Sequence, residues 1–383
     1  MPKLKQRNTL IFFLPLESKA PDANTAEISL FGPGIGECIV LHFGQGRWFI
    51  IDSCLCPETK QPIALQYLQS IGVDVGKQVV GILISHWHSD HIIGASLLLR
   101  TCKSAKLYLS SALMSREALH VASLYKKDTF GTGKDIREFS EIIKFLKETG
   151  DKDRLVPVKS RHTFFDDRNT IPIPARLVAL SPSDVAFTQA ISQLAQLNPK
   201  DGDARVRNIV PADENLNAVV IHFSFGCFSA VLGSDLEETG NLQTGWSAVF
   251  KNNIISELNL SPSSLFKVSH HGSNTGHHEK IWQDLLVKKP LSITTTFTRS
   301  GLPTPDNIKR LQELSSDFLI TRDPQVKNLI KRDNMVEREL RGMVKERKSI
   351  NDKMGHIQIR ISDKGLFNVA ANQNAVRFSG SNN

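Results

Sequence analysis

The sequence predicts an α/β sandwich, in which groups of strands alternate with amphipathic helices. Apolar and β-branched runs bounded by glycine-rich turns indicate strands, and segments with apolar residues at helical spacing separate the strand groups. Both halves of the chain also contain an apolar strand that ends in a cluster of histidine and aspartate. Because the strand groups are mostly antiparallel, a sandwich is favoured over a doubly wound parallel sheet.

The first hundred residues predict a strand meander followed by one helix and one buried strand. The meander strands are "AEISLF", "CIVLHF" and "WFIIDS", joined by the turns "GPGIGE" and "GQGR". "QPIALQYLQSIG" has helical spacing and stops at Gly72, which is typical of a helix C-terminus. "VVGILIS" is a continuous apolar run, as expected of a strand buried on both faces. Before the meander, "LIFFLPL" at 10–16 is predicted to be a first core strand.

Residues 100–165 predict a helical insertion, because "SREALHVASLYKK" and "DIREFSEIIKFLKET" are both amphipathic at helical spacing. Strands resume with "ARLVALSPS", and three more are predicted within "AVVIHFSF", "CFSAVLGSD" and "SLFKVSHHGS". Helices are predicted at "AISQLAQL", "EKIWQDLLVK" and "PDNIKRLQELS". The chain closes on "GHIQIRISDKGLFNVAA", which predicts a hairpin.

We expect a single domain over residues 8–376, which includes the 100–165 insertion and a charged helix at 324–353, with a flexible tail at 377–383. The 324–353 segment carries nine Lys/Arg and five Asp/Glu. Such mixed charge is typical of a solvated helix with i,i+4 ion pairs. The alternative is an arm that binds nucleic acid or a partner protein.

Composition and charge limit the classes of function. With 383 residues and a net charge of +8, the chain can bury a large core, and its positive field favours an anionic substrate. Five cysteines in no paired pattern predict a reducing, cytoplasmic environment. No stretch approaches the roughly 20 apolar residues of a membrane-spanning helix, so no membrane association is expected. A GxSxG elbow and a P-loop are both missing, which leaves serine hydrolysis and P-loop chemistry without support.

"ISHWHSDHIIG" at 84–94 places three histidines and an aspartate within six positions, directly after an apolar strand. His86 and His88, at i and i+2 past the strand end, can turn their imidazoles to one side and share one ion. Asp90 and His91 follow in the turn and can reach a second ion. Imidazole ligands suit zinc, and the carboxylate also admits manganese. Two neighbouring cations bring the pKa of a bound water to about 7, so hydrolysis by a metal-activated hydroxide is the expected chemistry.

The HxHxDH spacing of these four residues is similar to the signature of the metallo-β-lactamase fold. The resemblance implies an αββα sandwich of that type, here with a helical insertion, and two zinc sites. His86 and His88 would hold one zinc ion. Asp90, which is also the candidate catalytic residue, and His91 would hold the other.

Later motifs extend the resemblance. "AVLGSDLEE" resembles the fourth motif of this family, which implies that Asp235 bridges the two ions. "LFKVSHHGSNT" resembles the fifth motif, which implies that either His271 or His270 completes the second zinc site. "CIVLHFGQGRWFIIDS" resembles the early hairpin, whose Asp52 would hydrogen-bond a ligand imidazole from behind. Ser273 lies in a turn whose N–H groups could receive a phosphate oxygen.

Two departures from the family pattern concern the ligands and the substrate. "PADENLNAVV" offers Asn215 and its polar neighbours in place of the third-motif histidine, which leaves one zinc site a ligand short. That site is expected to be weak, to hold a harder ion or to be empty. "GLPTPD" carries Leu302 where a histidine precedes the first proline in the related pattern, so a different substrate is expected.

"HHGS" after an apolar strand, followed by a helix and then "PTPDN", resembles the competence-type (ComEC-like) branch of this fold. The resemblance implies a phosphodiesterase or nuclease that acts on nucleic acid or a nucleotide. One alternative is a partner-gated effector or component of a bacterial antiviral defence system, with the insertion or the charged helix binding a protein partner. A hydrolase of another ester, a lactone or a thioester is a further alternative, because the ligand set alone fits it as well.

Overall fold

The computed structural model describes residues 14–115, 118–119, 133–168, 173–196, 214–324 and 353–380. This part of the chain contains two eight-stranded sheets. The first sheet consists of β1 (Ala26–Gly32), β2 (Cys38–Phe43), β3 (Trp48–Ile51), β4 (Val79–Ile84), β5 (Lys106–Ser110), β6 (Leu155–Val158), β14 (Gly355–Ile361) and β15 (Phe367–Ala371). The second consists of β7 (Thr163–Asp166), β8 (Ala175–Ala179), β9 (Ile221–Phe225), β10 (Phe228–Leu232), β11 (Ser263–Lys267), β12 (Leu286–Thr294), β13 (Asp317–Ile320) and β16 (Val376–Ser379).

The two sheets repeat one plan, because each has an antiparallel part and a parallel part. In the first sheet the order is β15-β14-β1-β2-β3-β4-β5-β6, and β3 to β6 run parallel to one another. In the second sheet the order is β16-β13-β12-β11-β10-β9-β8-β7, and β10 to β13 run parallel. Open α/β sheets bind ligands outside the carboxyl ends of their parallel strands, so each sheet offers one such edge to a site.

Helices cover the outer faces of the sheets, and apolar side chains between the sheets form a central core. The helices are α1 (Ile63–Ser70), α2 (Val75–Gln78), α3 (Ser89–Ile92), α4 (Ala95–Thr101), α5 (Lys134–Thr149), α6 (Asp184–Gln196), α7 (Gly245–Lys251), α8 (Ile254–Glu257) and α9 (Pro305–Leu314). Alternation along β1 shows the layers, since Ile28 packs between the sheets and Phe31 faces the helices. This arrangement confirms the predicted αββα fold class.

Helix α5 lies within the 100–165 region for which the sequence predicts a helical insertion. Its apolar stripe, which includes Ile136, Phe139 and Ile143, is buried in the outer core of the first sheet. That stripe is therefore not available to a partner protein. Around α5 the described chain forms strands, because β5 and β6 extend the first sheet and β7 belongs to the second. These strands have only four or five residues, which is too short for an alternating pattern to be recognised in the sequence.

The flexible tail predicted at 377–383 is in part a strand. β16 pairs antiparallel with β13, which places Phe378 opposite Phe318. Arg377 also forms an ion pair with Asp317 at 2.6 Å. The prediction is therefore wrong for residues 377–379, because their order comes from cross-strand partners about 60 residues earlier in the chain.

The helix predicted over "EKIWQDLLVK" is wrong from Leu286 onward. A five-residue π-turn, Ile281–Leu285, is followed directly by β12, which lies between β11 and β13. The apolar pattern at the start of this strand is interrupted by Lys288, Lys289 and Pro290. The sequence pattern therefore does not predict a strand here. Pairing with a strand on each side decides the conformation here.

Several predictions fall outside the described residues. They are most of the first strand at 10–16, most of the helix "SREALHVASLYKK", residues 325–352 of the charged helix and the part of "PADENLNAVV" up to residue 213. Among the helices that the structure does describe, none combines the length and the apolar character needed to cross a bilayer.

Candidate metal centre

The candidate metal centre lies at the carboxyl ends of β4, β10 and β11. After β4 the chain turns into the one-turn helix α3, which carries Asp90 and His91. Asp235 follows β10, and His271 follows β11. Because β4 belongs to one sheet and β10 and β11 to the other, only the closed sandwich brings these residues together.

Four of the predicted ligands form what we call the four-ligand cluster: Asp90, His91, Asp235 and His271. His91 Nε2 lies 3.3 Å from Asp235 Oδ2 and 3.5 Å from Asp90 Oδ2. His271 Nε2 lies 3.3 Å and 3.5 Å from the same two oxygens. Each nitrogen thus lies 3.3–3.5 Å from both oxygens, and the four atoms all lie within 4.8 Å of one another.

The spacing of these four atoms fits a tetrahedral zinc ion. Ligand atoms at about 2.0–2.1 Å from a tetrahedral zinc ion are about 3.3 Å from one another. His91 Nε2, His271 Nε2 and Asp235 Oδ1 are buried and make no hydrogen bond within the described part of the chain. Burying polar atoms without a partner costs free energy, and a bound cation removes that cost. The donor set fits zinc, and its two carboxylates also accept manganese.

The predicted ligands His86 and His88 form a second group, which we call the histidine pair. His86 Nε2 lies 3.1 Å from His88 Nδ1, so the two imidazoles can serve one ion. The ring centre of His86 is 4.3 Å from that of His91, which places the pair directly beside the cluster. Among the described residues, no group of three or more ligand atoms within 4.8 Å of one another includes either histidine. The pair thus offers an ion two protein ligands in this part of the chain.

Asp52 supports an imidazole on each side of the centre. Its Oδ2 accepts hydrogen bonds from His91 Nδ1 and from Ser85 Oγ, both at 2.8 Å. Ser85 Oγ in turn lies 3.0 Å from His86 Nδ1. A proton held on Nδ1 of His91 leaves its Nε2 lone pair for a metal ion. Asp52 therefore lies behind the imidazole of His91 and, through Ser85, behind that of His86.

The backbone separates the two adjacent histidines of the "HHGS" turn. His270, His271 and Gly272 have φ angles of 47°, 50° and 79°, a left-handed run that reverses the chain after β11. A Cβ at Gly272 would approach Leu311 to 3.1 Å, so glycine suits both the conformation and the space. His271 is buried in the cluster, whereas His270 Nδ1 lies 2.8 Å from Glu237 Oε1. The structure brings His271, and not His270, to the cluster.

Three buried residues behind His271 were missed by the sequence analysis. Thr295 Oγ1 lies 2.8 Å from His271 Nδ1 and donates to Glu37 Oε2 at 2.6 Å. Lys267 Nζ lies 2.5 Å from Glu37 Oε1. Charged side chains are rarely buried unless they are paired. A lysine inside the apolar run "SLFKV" and a glutamate after "GPGIG" were therefore the available signals.

Charge at the four-ligand cluster favours a cation. Burial lowers the pKa of His271, but the carboxylates of Asp235, Asp90 and Glu37 together outweigh burial and raise this pKa to about 9. Burial also opposes charge on His91, whereas Asp235 and Asp90 raise its pKa well above the usual value. Burial would raise the pKa of Asp235, yet His271 and His91 hold it well below its usual range. The carboxylates thus stay ionised and favour positive charge beside them. This charge is carried either by protonated His91 and His271 or by a bound metal ion.

The histidine pair has the opposite electrostatics. Burial lowers the pKa of His86 well below its usual value, and His91 and His88 lower it further. Burial also lowers the pKa of His88, although the Asp90 carboxylate opposes this effect. Both imidazoles are therefore neutral at pH 7, and their lone pairs are available to a metal ion.

Two further candidate residues bond to groups outside the cluster. Asn215 Nδ2 donates to Glu237 Oε1 at 2.9 Å. Ser273 Oγ lies 3.1 Å from Thr275 Oγ1. The backbone N–H of Ser273 donates to the His270 carbonyl at 2.9 Å, so this amide is already used and does not offer the predicted phosphate contact.

Glu37, Asp52 and His91 are also close enough together to hold an ion. Here, however, protein cations and donors already occupy the carboxylates. The Lys267 ammonium lies 2.5 Å from Glu37, and His91 Nδ1 donates to Asp52 at 2.8 Å. This group therefore supports the centre and does not fit a further metal ion.

The four-ligand cluster lies at the strand ends of an αββα sandwich. Its two imidazoles and two carboxylates form a site that could hold a metal ion. Residues 31–183 match the model of the metallo-beta-lactamase superfamily. Over this range the chain is similar to the metallo-β-lactamase superfamily, and the similarity suggests a metal-dependent hydrolase. The matched range includes the 84–94 motif and ends before Asp235 and His271.

Solved structures with similarity to this chain carry the same fold name. The Rm3 metallo-beta-lactamase is 14% identical, over 68% of this chain and 81% of that chain, with a TM-score of 0.32. MEM-A1, a subclass B3 metallo-beta-lactamase from a soil metagenome library, is 13% identical over 71% and 86%, with a TM-score of 0.32. The metallo-beta-lactamase fold protein YhfI from Bacillus subtilis is 10% identical over 78% and 95%, with a TM-score of 0.37. No curated protein matches this chain.

Proposed function

We propose that this protein is a metal-dependent hydrolase of phosphodiesters that acts on nucleic acid or a nucleotide. The observation that carries the proposal is the four-ligand cluster, whose imidazole nitrogens lie 3.3–3.5 Å from the carboxylates of Asp90 and Asp235. The similarity to the superfamily supports a hydrolytic reaction. The phosphodiester specificity rests on charge and on the resemblance of one motif.

The proposed ligands are Asp90, His91, Asp235 and His271 for the first ion and His86 and His88 for a second, weaker one. Asp235 is the proposed bridge, because its Oδ2 faces both imidazoles of the cluster and its Oδ1 is buried and makes no hydrogen bond among the described residues. A zinc ion, when bound, brings the pKa of a water to about 7 and polarises the bond to be cleaved. Manganese is the second candidate ion, since carboxylates admit harder cations.

The chain's own residues prepare the centre for this reaction. Asp52 and Thr295 hold the Nδ1 atoms of the two cluster imidazoles, so that both Nε2 atoms point at one place. His88 and Asp90 are partly exposed, whereas the other proposed ligands are buried. We therefore expect the substrate to approach past His88 and Asp90, with Asp90 closest to the reacting group.

Two features support an anionic substrate. The net charge of +8 raises the local concentration of phosphates near the surface. "HHGS" followed by "PTPDN" resembles the competence-type (ComEC-like) branch, which supports nucleic acid or a nucleotide over a β-lactam. Leu302 and Asn215 replace residues of the related pattern, so the preferred phosphodiester within this class is expected to differ.

We also propose that the domain predicted over residues 8–376 is one folding unit, which extends to the end of β16 at Ser379. β1 pairs with β14 in a register that extends from Ala26 opposite Ile361 to Gly32 opposite Gly355. Strands near both ends of the described chain thus belong to the same sheet. Such long-range pairing supports a single folding unit.

A metal-supplemented substrate panel tests the proposal. Its arms are single-stranded DNA, duplex DNA, RNA, a cyclic nucleotide and a chromogenic phosphodiester, with a carboxylic ester, a lactone and a thioester for comparison. We expect cleavage of a phosphodiester by the wild type and by Asp363→Asn, a surface control in the exposed turn between β14 and β15. Asp90→Ala and chelator-treated protein should be inactive, and added zinc or manganese should restore only the chelated wild type.

Equal cleavage by the wild type and Asp90→Ala would contradict the hydrolase proposal. Cleavage of the lactone or thioester alone would keep the hydrolase and overturn its phosphodiester specificity.

A further inference from the structure

A buried series of polar contacts extends behind His271, from Thr295 through Glu37 to Lys267. Thr295 Oγ1 lies 2.8 Å from His271 Nδ1 and 2.6 Å from Glu37 Oε2. The His271 ring also stacks on Phe297, with ring centres 5.1 Å apart and an angle of 17° between the planes. The His271 ring is therefore held by stacking on one face and by a hydrogen bond at Nδ1. These two contacts orient its Nε2 toward the cluster.

The donor and the acceptor of each hydrogen bond in this series can be assigned. The Lys267 ammonium lies 2.5 Å from Glu37 Oε1, so Glu37 is paired as a carboxylate. A carboxylate accepts hydrogen bonds and cannot donate them, so the Thr295 hydroxyl donates to Glu37. The Thr295 oxygen is then left to accept from His271 Nδ1. The Nδ1 proton of His271 is thus held in place, so a metal ion that replaces the other ring proton binds at Nε2.

The same ion pair is connected to a second ligand. Lys267 Nζ donates to the carbonyl oxygen of Ser234 at 3.0 Å and lies 3.8 Å from Asp235 Oδ1. Ser234 has a φ of 44°, so a strained residue immediately before the ligand is held by this contact. Lys267 therefore fixes both Glu37, behind His271, and the turn that presents Asp235.

The two imidazoles of the four-ligand cluster are supported in equivalent ways. His91 Nδ1 donates directly to the buried carboxylate of Asp52 at 2.8 Å. His271 reaches the buried carboxylate of Glu37 through the one intervening hydroxyl of Thr295. A carboxylate behind a ligand histidine fixes the ring and makes it a stronger donor.

We propose that Glu37, acting through Thr295, is a positioning residue that sets the metal affinity of the four-ligand cluster. The inference rests on the proposed function, because it takes these residues to be metal ligands. Loss of such a supporting partner weakens metal binding by about 10- to 100-fold.

Paired substitutions at Thr295 test the proposal. Thr295→Val keeps the volume and removes the hydroxyl, and Thr295→Ser keeps the hydroxyl. Thr296→Val is the matched control, because it removes the neighbouring buried hydroxyl, whose bond goes to the Arg322 carbonyl. The zinc dissociation constants are measured by chelator competition, and the thermal unfolding of the zinc-free proteins is measured in parallel, so that stability and affinity are separated.

We expect Thr295→Val to weaken the tighter zinc equivalent by about 10-fold or more, with binding restored close to wild type in Thr295→Ser. Thr296→Val should keep the wild-type affinity. Zinc bound by Thr295→Val as tightly as by the wild type would overturn the inference, whatever the hydrolytic activity. If the zinc effect is found but the wild type cleaves no member of the panel, the proposed function fails and the positioning role stands.

Discussion

The histidine pair and the four-ligand cluster lie side by side and offer a metal ion opposite starting conditions. Burial lowers the pKa values of His86 and His88, so the pair presents neutral imidazoles. At the cluster, burial also lowers the pKa of His271, but the surrounding carboxylates together raise it to about 9. The histidine pair therefore offers a metal ion neutral imidazoles with free lone pairs. The four-ligand cluster attracts a metal ion by the negative charge of its carboxylates.

The two sides also differ in how complete they are. The HxHxDH motif contributes two residues to each side, so the sequence alone makes them look equivalent. In the fold, Asp235 and His271 join Asp90 and His91, while the described residues add no third ligand to the histidine pair within the same spacing. We therefore expect the four-ligand cluster to bind its ion first and more tightly.

The largest expected effect is the loss of a cluster ligand. His271→Ala should remove the tighter metal equivalent, with a loss of affinity beyond the about 100-fold that a supporting residue can cause. His270→Ala is the matched control, since its side chain pairs with Glu237 outside the cluster. Metal content after dialysis, measured by mass spectrometry, checks both variants. Equal losses in the two variants would remove the distinction between the adjacent histidines.

Removal of a ligand from the histidine pair should have a smaller effect on metal content. His88→Ala is expected to lose only the weaker equivalent and to keep the tighter one, because the four-ligand cluster is intact. Stepwise zinc titration of the chelated protein measures this as one binding step in place of two. Simultaneous loss of both steps would show that the two sides do not bind independently.

Substitution of a residue that supports a proposed ligand should weaken zinc binding on that residue's side of the centre by about 10- to 100-fold. Asp52→Asn is expected to weaken the tighter equivalent, because Asp52 accepts directly from His91. Ser85→Ala should act on the weaker equivalent, because Ser85 connects Asp52 to His86. Chelator competition gives both constants. The reverse assignment would contradict the proposed contacts.

The smallest expected effect concerns a buried histidine outside the centre. Burial alone lowers the pKa of His356 to about 3, whereas carboxylates raise that of His271. Since the unfolded pKa is about 6.5, the unfolded chain takes up the proton first and stability falls as the pH drops from 6.5 towards 3, by about 2 kcal/mol at pH 5. His356→Phe should flatten this slope in urea unfolding of chelated protein. An unchanged slope would show that His356 is not the group responsible.

The local part of the structure follows from the sequence. The meander, α1, β4, α5 and the closing hairpin all lie where the apolar spacing predicts them. Predictions failed where a distant segment decides the conformation. β12 is held between β11 and β13, and β16 is ordered by Asp317 and Phe318 of β13. Short strands gain their stability from neighbours that periodicity cannot show.

At the centre, the sequence by itself determined the ligand types, because four donors in six positions after a buried strand leave few other uses for them. The resemblance of the early hairpin to that of the metallo-β-lactamase fold implied that Asp52 supports an imidazole. Only the tertiary structure chose His271 over His270, through three left-handed residues after β11. The pairing of Lys267 with Glu37 likewise required the closed sandwich, because a buried charge becomes stable only when its partner from the other sheet is in place.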